Sequence, residues 1–201
     1  MTTRTATTSV PLTTLLAERW SPRAFDGTAV ASDDLAALLE AARWAPSANN
    51  YQPWRFVVGQ TTTDGADATH KGIFDALAEF NQVWASAAPV LVAAITEVEH
   101  EDGSVREIAP YDLGLAVSQL TIEAAARGLV VHQMGGFDTD QVSATFGVPS
   151  QYRTIVVLAI GRLGDPESLP AWAAERESAP RERKPLAEIA FADTFGTAYA
   201  V

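Results

Sequence analysis

The sequence predicts an α+β fold: one domain over residues 1–201, with 164–201 as a C-terminal extension. Three observations carry that prediction. Stretches with helical apolar spacing alternate with short runs rich in β-branched residues. The apolar content, 47%, suffices for a core in a chain of this length, and no internal repeat divides it. After Gly161 the composition changes, first to Pro, Glu, Arg and Ala, then to an apolar tail.

Taken in order, Leu12 to Trp20 reads as a short helix closed by Ser21-Pro22. Ser32 is an N-cap candidate for a second helix. Asp33 and Asp34 suit its positive end, Leu35, Leu38, Leu39 and Ala42 recur on one stripe, and Pro46 ends it. Trp54 to Gly59 reads as a strand, and Thr61 to Thr69 as polar turn. Ile73 to Trp84 has helical spacing, with Phe74, Leu77, Ala78 and Phe80 inward. Val90 to Thr96 is a strand within the longest apolar stretch, Ala85 to Ile95, and the acidic Glu97 to Glu107 is an exposed loop. Asp112 to Arg127 carries Leu113, Ala116, Val117, Leu120 and Ala124 on one stripe, with Gly128 to cap it. Leu129 to Gln133 is a strand. Asp138 opens another helix that ends near Gly147. Tyr152 to Gly161 is a strand whose near-continuous apolar run implies burial on both faces. The tail carries Ile189, Phe191, Phe195 and Tyr199, so it must fold back on its own domain or pack on a partner.

Charge and composition narrow the function. The net charge of −11 repels polyanions, so nucleic acid is not an expected partner. No apolar run reaches the roughly 18 residues of a membrane helix, and the Thr-rich start from Met1 to Ser9 does not read as a signal peptide. With no cysteine, disulfides and thiolate chemistry are excluded, and a reducing cytoplasmic location is compatible. His70, His100 and His132 lack metal-ligand spacing, and neither G-x-G-x-x-G, a phosphate-binding P-loop nor G-x-S-x-G occurs. A bound organic cofactor would fill that gap in chemistry.

Four segments stand out. Arg19-Trp20-Ser21-Pro22-Arg23 places two guanidiniums and a hydroxyl at a helix end, which suits phosphate oxygens. The plain alternative is a pair of Arg residues complementing the helix dipole. Pro46-Ser47-Ala48-Asn49-Asn50-Tyr51-Gln52-Pro53-Trp54 brackets amide side chains between prolines, which suits the edge of a heteroaromatic ring; an ordinary polar connection is the alternative. His132-Gln133-Met134-Gly135-Gly136-Phe137-Asp138 runs from strand through paired glycines to a helix cap. There backbone can approach a ligand closely, or the turn simply needs positive φ. Arg181-Glu182-Arg183-Lys184-Pro185-Leu186 is a second phosphate-type cluster or a solvated charge run.

With these segments in register from about Leu15 to Leu186, the chain resembles the FMN-dependent nitroreductase family. The resemblance rests most on Pro46, Ser47, Asn50, Gln52, Pro53 and Trp54. It rests next on Arg19, Ser21 and Arg23, then on Gly136 to Asp138 and on Arg183, Pro185 and Leu186. It implies a mixed β-sheet flanked by helices and a homodimer with FMN at the subunit interface, the C-terminal extension packing on the partner. By the same resemblance Arg19, Trp20, Ser21, Arg23, Arg181 and Arg183 surround the FMN phosphate side. Asn50 contacts the ring, and Pro46, Ser47 and Ala48 approach it from the other subunit. Gln133, Met134, Gly135 and Gly136 line its N5 edge. Trp20 stands where Arg or His is frequent, and Gly135 where some members carry Glu. The implied activity is ping-pong transfer from NADPH or NADH, through the flavin, to a nitroaromatic, quinone or similar flat acceptor. Alternatives on the same fold are dehydrogenation, dehalogenation, flavin consumption, or flavin binding without turnover. A structural dimer without cofactor is a third class.

Overall fold

A computed structural model describes residues 4–200; Met1 to Thr3 of the Thr-rich start and Val201 of the tail lie outside the described residues. Helices α1 (Thr14–Glu18) and α2 (Ser32–Arg43) precede a hairpin of strands β1 (Trp54–Thr62) and β2 (Gly65–Ala66). Then come α3 (Ala68–Asp75), α4 (Glu79–Ala85), β3 (Val90–Glu97), α5 (Ala109–Ala126), β4 (Val130–Met134), α6 (Thr139–Phe146), β5 (Tyr152–Gly161) and α7 (Ala171–Ser178). The five strands form one sheet in the order β2-β1-β3-β5-β4. The α+β class therefore stands, and each strand pairing is antiparallel.

Helices cover both faces of this sheet. Val90, Val92 and Ala94 of β3 and Leu158 and Ile160 of β5 meet α2 and α5 on one side. Their alternates Leu91, Ala93, Val157 and Ala159 meet α3, α4 and α6 on the other. A strand with period-two side chains and two apolar neighbours must be apolar at every position, which is why β3 and β5 read as continuous runs.

Several local readings shift. Helix α2 begins at Ser32 itself; its N-cap is Ala31, with no side-chain capping bond. The single helix read over Ile73 to Trp84 is two, α3 and α4, because the chain leaves helical geometry between them. There Leu77 forms an antiparallel bridge with Phe137, Ala78 donates its N–H to Gly136 O at 3.0 Å, and Asp138 N–H donates to Ala76 O at 2.8 Å. Those long-range bonds outweigh a short helix's own propagation. Phe80, expected inward, is 57% exposed as a result. The acidic loop is partly pinned, with Glu99 bridged to Val105 and Val98 N–H donating to Gln151 O at 2.8 Å. The tail does not fold back over the core: Leu186, Ile189, Phe195 and Tyr199 all remain exposed.

Candidate functional site

The two basic segments meet. At the end of α1, the Arg181 guanidinium donates to Ala17 O and Arg19 O, each at 2.8 Å, and also to Arg4 O. This satisfies carbonyls that a helix end leaves without partners. Arg183 arrives beside Arg19. Burial, then repulsion from Arg183, lowers the pKa of Arg19 below its ordinary value. Burial, then Arg19, Arg183 and Arg4, does the same to Arg181. Among the described residues no carboxylate pairs with Arg19, Arg181 or Arg183. Like charges gathered without a counter-ion are costly unless an anion joins them, so the residues present fit the phosphate of the FMN that the resemblance implies.

Two members of this centre were not legible in the sequence. Arg4 stacks its guanidinium 4.3 Å from the Trp20 ring centroid, which brings a further cation to the first basic segment. Glu177, 2% exposed, accepts from the N–H groups of Arg23 and Ala24 at 2.9 to 3.1 Å. Arg23 itself faces Glu177 at 4.0 Å, an internal counter-ion. No local pattern separates Glu177 from the other Glu and Arg residues of its run, or Arg4 from its Thr-rich surroundings.

Strand β4 ties the glycine turn to this centre. His132 is buried, with its Nδ1–H donating to Pro22 O at 2.8 Å and its ring 4.5 Å from that of Trp84. Burial, opposed by the Pro22 bond, lowers its pKa to about 4, so it is neutral at pH 7. The pleat sends its neighbours apart. Gln133 is exposed on the α5 side and donates Nε2–H to Thr121 Oγ1 at 3.3 Å, whereas Met134 is buried in the opposite core. Of that pair only Gln133 presents a side chain; Met134 offers backbone. A Cβ on Gly135 would meet no atom within 4 Å. On Gly136 it would lie 2.5 Å from Cζ of the exposed Phe80, so a larger residue there would have to displace that ring. A cleft of about 640 Å³ opens beside Gly135, Gly136, Leu77 and Asp138.

The third segment is separate. Asn49, Asn50 and Gln52 have φ of 50°, 56° and 49°, a turn of left-handed residues without glycine, interrupted only by Tyr51 at φ −66°. Gln52 N–H donates to Ser47 Oγ and Gln52 Nε2–H to Asn50 O, both at 3.0 Å, which holds it. Ala48 N–H donates at 3.2 Å to the buried carboxylate of Asp112, which lies in the first turn of α5 and not at its start, since that helix begins at Ala109. Pro46 and Asn50 are exposed, Ser47 and Ala48 half-buried. The turn makes no hydrogen bond to the basic cluster or the glycine turn. Such strain persists at functional positions where the surroundings over-determine it.

This fold, with a phosphate-type cation cluster and a strained amide turn, suits an oxidoreductase that binds a phosphorylated ring cofactor, and the comparisons with known proteins give the family. The nitroreductase family model matches residues 16–83 and 59–162, and the chain belongs to that family. It is similar to an uncharacterized 15.4 kDa protein in the ask 5′ region of Mycolicibacterium smegmatis, 42% identical over 146 residues, covering 71% of this chain and 97% of that one. It is 25% identical over 187 residues to the oxygen-insensitive NAD(P)H nitroreductase of Salmonella typhimurium, covering 72% of this chain and 85% of that one. A crystal structure of an oxidoreductase containing FMN superposes with a TM-score of 0.89 at 34% identity, covering 98% of this chain and 99% of the other.

Proposed function

We propose that this protein is an FMN-dependent NAD(P)H oxidoreductase, acting as a homodimer, with a nitroaromatic, quinone or similarly flat molecule as acceptor. The observation that carries the reading is the Arg19–Arg181–Arg183 cluster, which lacks a carboxylate partner among the described residues. We read the chain as one FMN domain, with residues 164–201 as an arm for the partner subunit, working in the cytoplasm.

Bound FMN would supply the two-electron chemistry that no side chain here can carry. The side chains of Arg19, Ser21 and Arg183 would grip its phosphate, and Arg181 would hold the carbonyl frame beneath them. The exposed backbone at Gly135, with space where a Cβ would sit, would let the ring edge approach and take an N–H bond. Asn50, with Pro46, Ser47 and Ala48, would meet a ring from the second subunit. Their lack of any hydrogen bond to the basic cluster of the same chain supports that reading. No separate dinucleotide motif exists, so donor and acceptor would take turns in one pocket.

Purified protein should show a flavin spectrum, and the released cofactor should have the mass of FMN. Anaerobic NADPH or NADH should bleach it, and initial rates at several acceptor concentrations should give parallel lines. A colourless protein that takes up no FMN would overturn the reading. Intersecting lines would remove the shared pocket.

A further inference from the structure

We propose that Glu177 is a positioning residue that builds the phosphate site by pinning the residue 23–24 backbone to the C-terminal segment, an inference that rests on the FMN reading above. Glu177 lies on α7, and its carboxylate is buried. Its Oε1 accepts from Arg23 N–H at 2.9 Å and Ala24 N–H at 3.1 Å, and its Oε2 from Arg23 N–H at 3.1 Å. Two consecutive amides of the loop are therefore already occupied by an internal anion. They are not free for a phosphate, which leaves that task to the side chains of Arg19, Ser21 and Arg183.

The same segment is bolted back a second time, with the opposite polarity. Glu177 takes N–H groups from residues 23 and 24; Arg181, four residues on, gives N–H groups to the carbonyls of residues 17 and 19. Arg4 closes the knot by donating to the Glu177 and Ala179 carbonyls. With both bolts in place, Arg183 is delivered to the side of Arg19. Arg23 faces the carboxylate from 4.0 Å, so the buried anion is neutralised internally and need not repel a phosphate. Without Glu177 the 23–24 amides lose their acceptor and Arg183 loses its anchor. The loss should fall on the phosphate end of the ligand and spare the ring end.

The test compares FMN with riboflavin, which has the ring but no phosphate, by fluorescence titration of the flavin-free full-length chain. For Glu177→Ala the FMN dissociation constant should rise by about tenfold or more while that of riboflavin changes less than about threefold. Glu177→Gln keeps an Oε1 acceptor for both amides, loses only the longer Oε2 bond and the charge facing Arg23, and should hold FMN within about threefold of the parent. Glu177→Asp, one methylene too short, should behave like the alanine variant to a smaller degree. Equal weakening of both ligands in Glu177→Ala would mark a general structural role and overturn the inference, as would no weakening of either. Should Glu177→Ala fail to fold, the contrast between Glu177→Asp and Glu177→Gln decides in the same way. A parent protein that binds no FMN would instead overturn the function proposed above, a distinct outcome.

Discussion

Single residues divide the arginines into two kinds. Arg4, Arg23 and Arg181 are tied to distant carbonyls, to an aromatic ring or to Glu177, whereas Arg19 and Arg183 face one another without a carboxylate, Arg183 donating only to the adjacent Glu182 O. Arg19→Ala should weaken FMN binding by about 1.5–3 kcal/mol, and the more exposed Arg183→Ala by about 1 kcal/mol, measured by equilibrium dialysis. Full flavin retention in both variants would refute the phosphate assignment. His132 makes a separate prediction. Its folded-state pKa, about 4, lies below its ordinary 6.5, so the unfolded chain binds the proton more readily. Stability should therefore fall as pH drops from above 6.5 toward 4. The contribution lost by pH 5 is about 2 kcal/mol. Urea unfolding at pH 7 and pH 5 should show a smaller drop in His132→Asn, whose amide can still reach the Pro22 carbonyl. An unchanged drop would mean that His132 is not the group responsible.

Among the elements, α6 has the clearest local design. Asp138 caps it by accepting from the N–H groups of Asp140 and Gln141 at 2.9 Å, and Gly147 closes it at φ 62°. Asp138→Ala should cost about 1 kcal/mol, read as a shift in denaturant midpoint at unchanged slope. The break between α3 and α4 is of another kind, because it exists only through the Leu77–Phe137 bridge and the bonds around it. Gly136→Ala would press its Cβ on Phe80 and on the Asn81 amide that donates to Gly136 O at 3.0 Å. It should cost about 1–3 kcal/mol. The same change should disturb flavin absorbance, since the turn it distorts carries Gly135. A variant with parental stability would show that α4 yields freely.

At the scale of the whole molecule, the tail stands apart from the core. Phe195 is 95% exposed and Ile189 60%, although the Phe191 and Phe195 rings lie 4.9 Å apart, tilted by 55°. An apolar arm held away from its own core wants another surface, and in the homodimer proposed above an isologous partner would supply one. Removing residues 187–201 should convert a dimer into a monomer by light scattering and release flavin with it. The interface lost should exceed about 2,000 Å², as permanent homodimers do. A truncated chain that stays dimeric and yellow would show that the tail does neither job. The cut leaves Glu177, Arg181 and Arg183 in place, so flavin loss in it would report the dimer and not the phosphate clamp.

The sequence by itself determined the types of the main helices and strands, though not β2, read as turn, or α7, for which it gave no helix; it also determined the both-faces burial of β5 and the motif residues that mark the family. Each depends on neighbours within a few positions: a period of two or of 3.6, a cap, a bracketing proline. Tertiary structure decided the rest. It split one helical pattern into α3 and α4, turned Phe80 outward and left the tail uncovered. Above all it joined Arg23 to Glu177 across 154 positions and Arg181 to Arg19 across 162. A carboxylate in a run of Glu and Arg has the same local chemistry as its neighbours. Only the folded chain selects which one is desolvated against two backbone amides, because that choice is made by packing at long range and leaves no periodic trace.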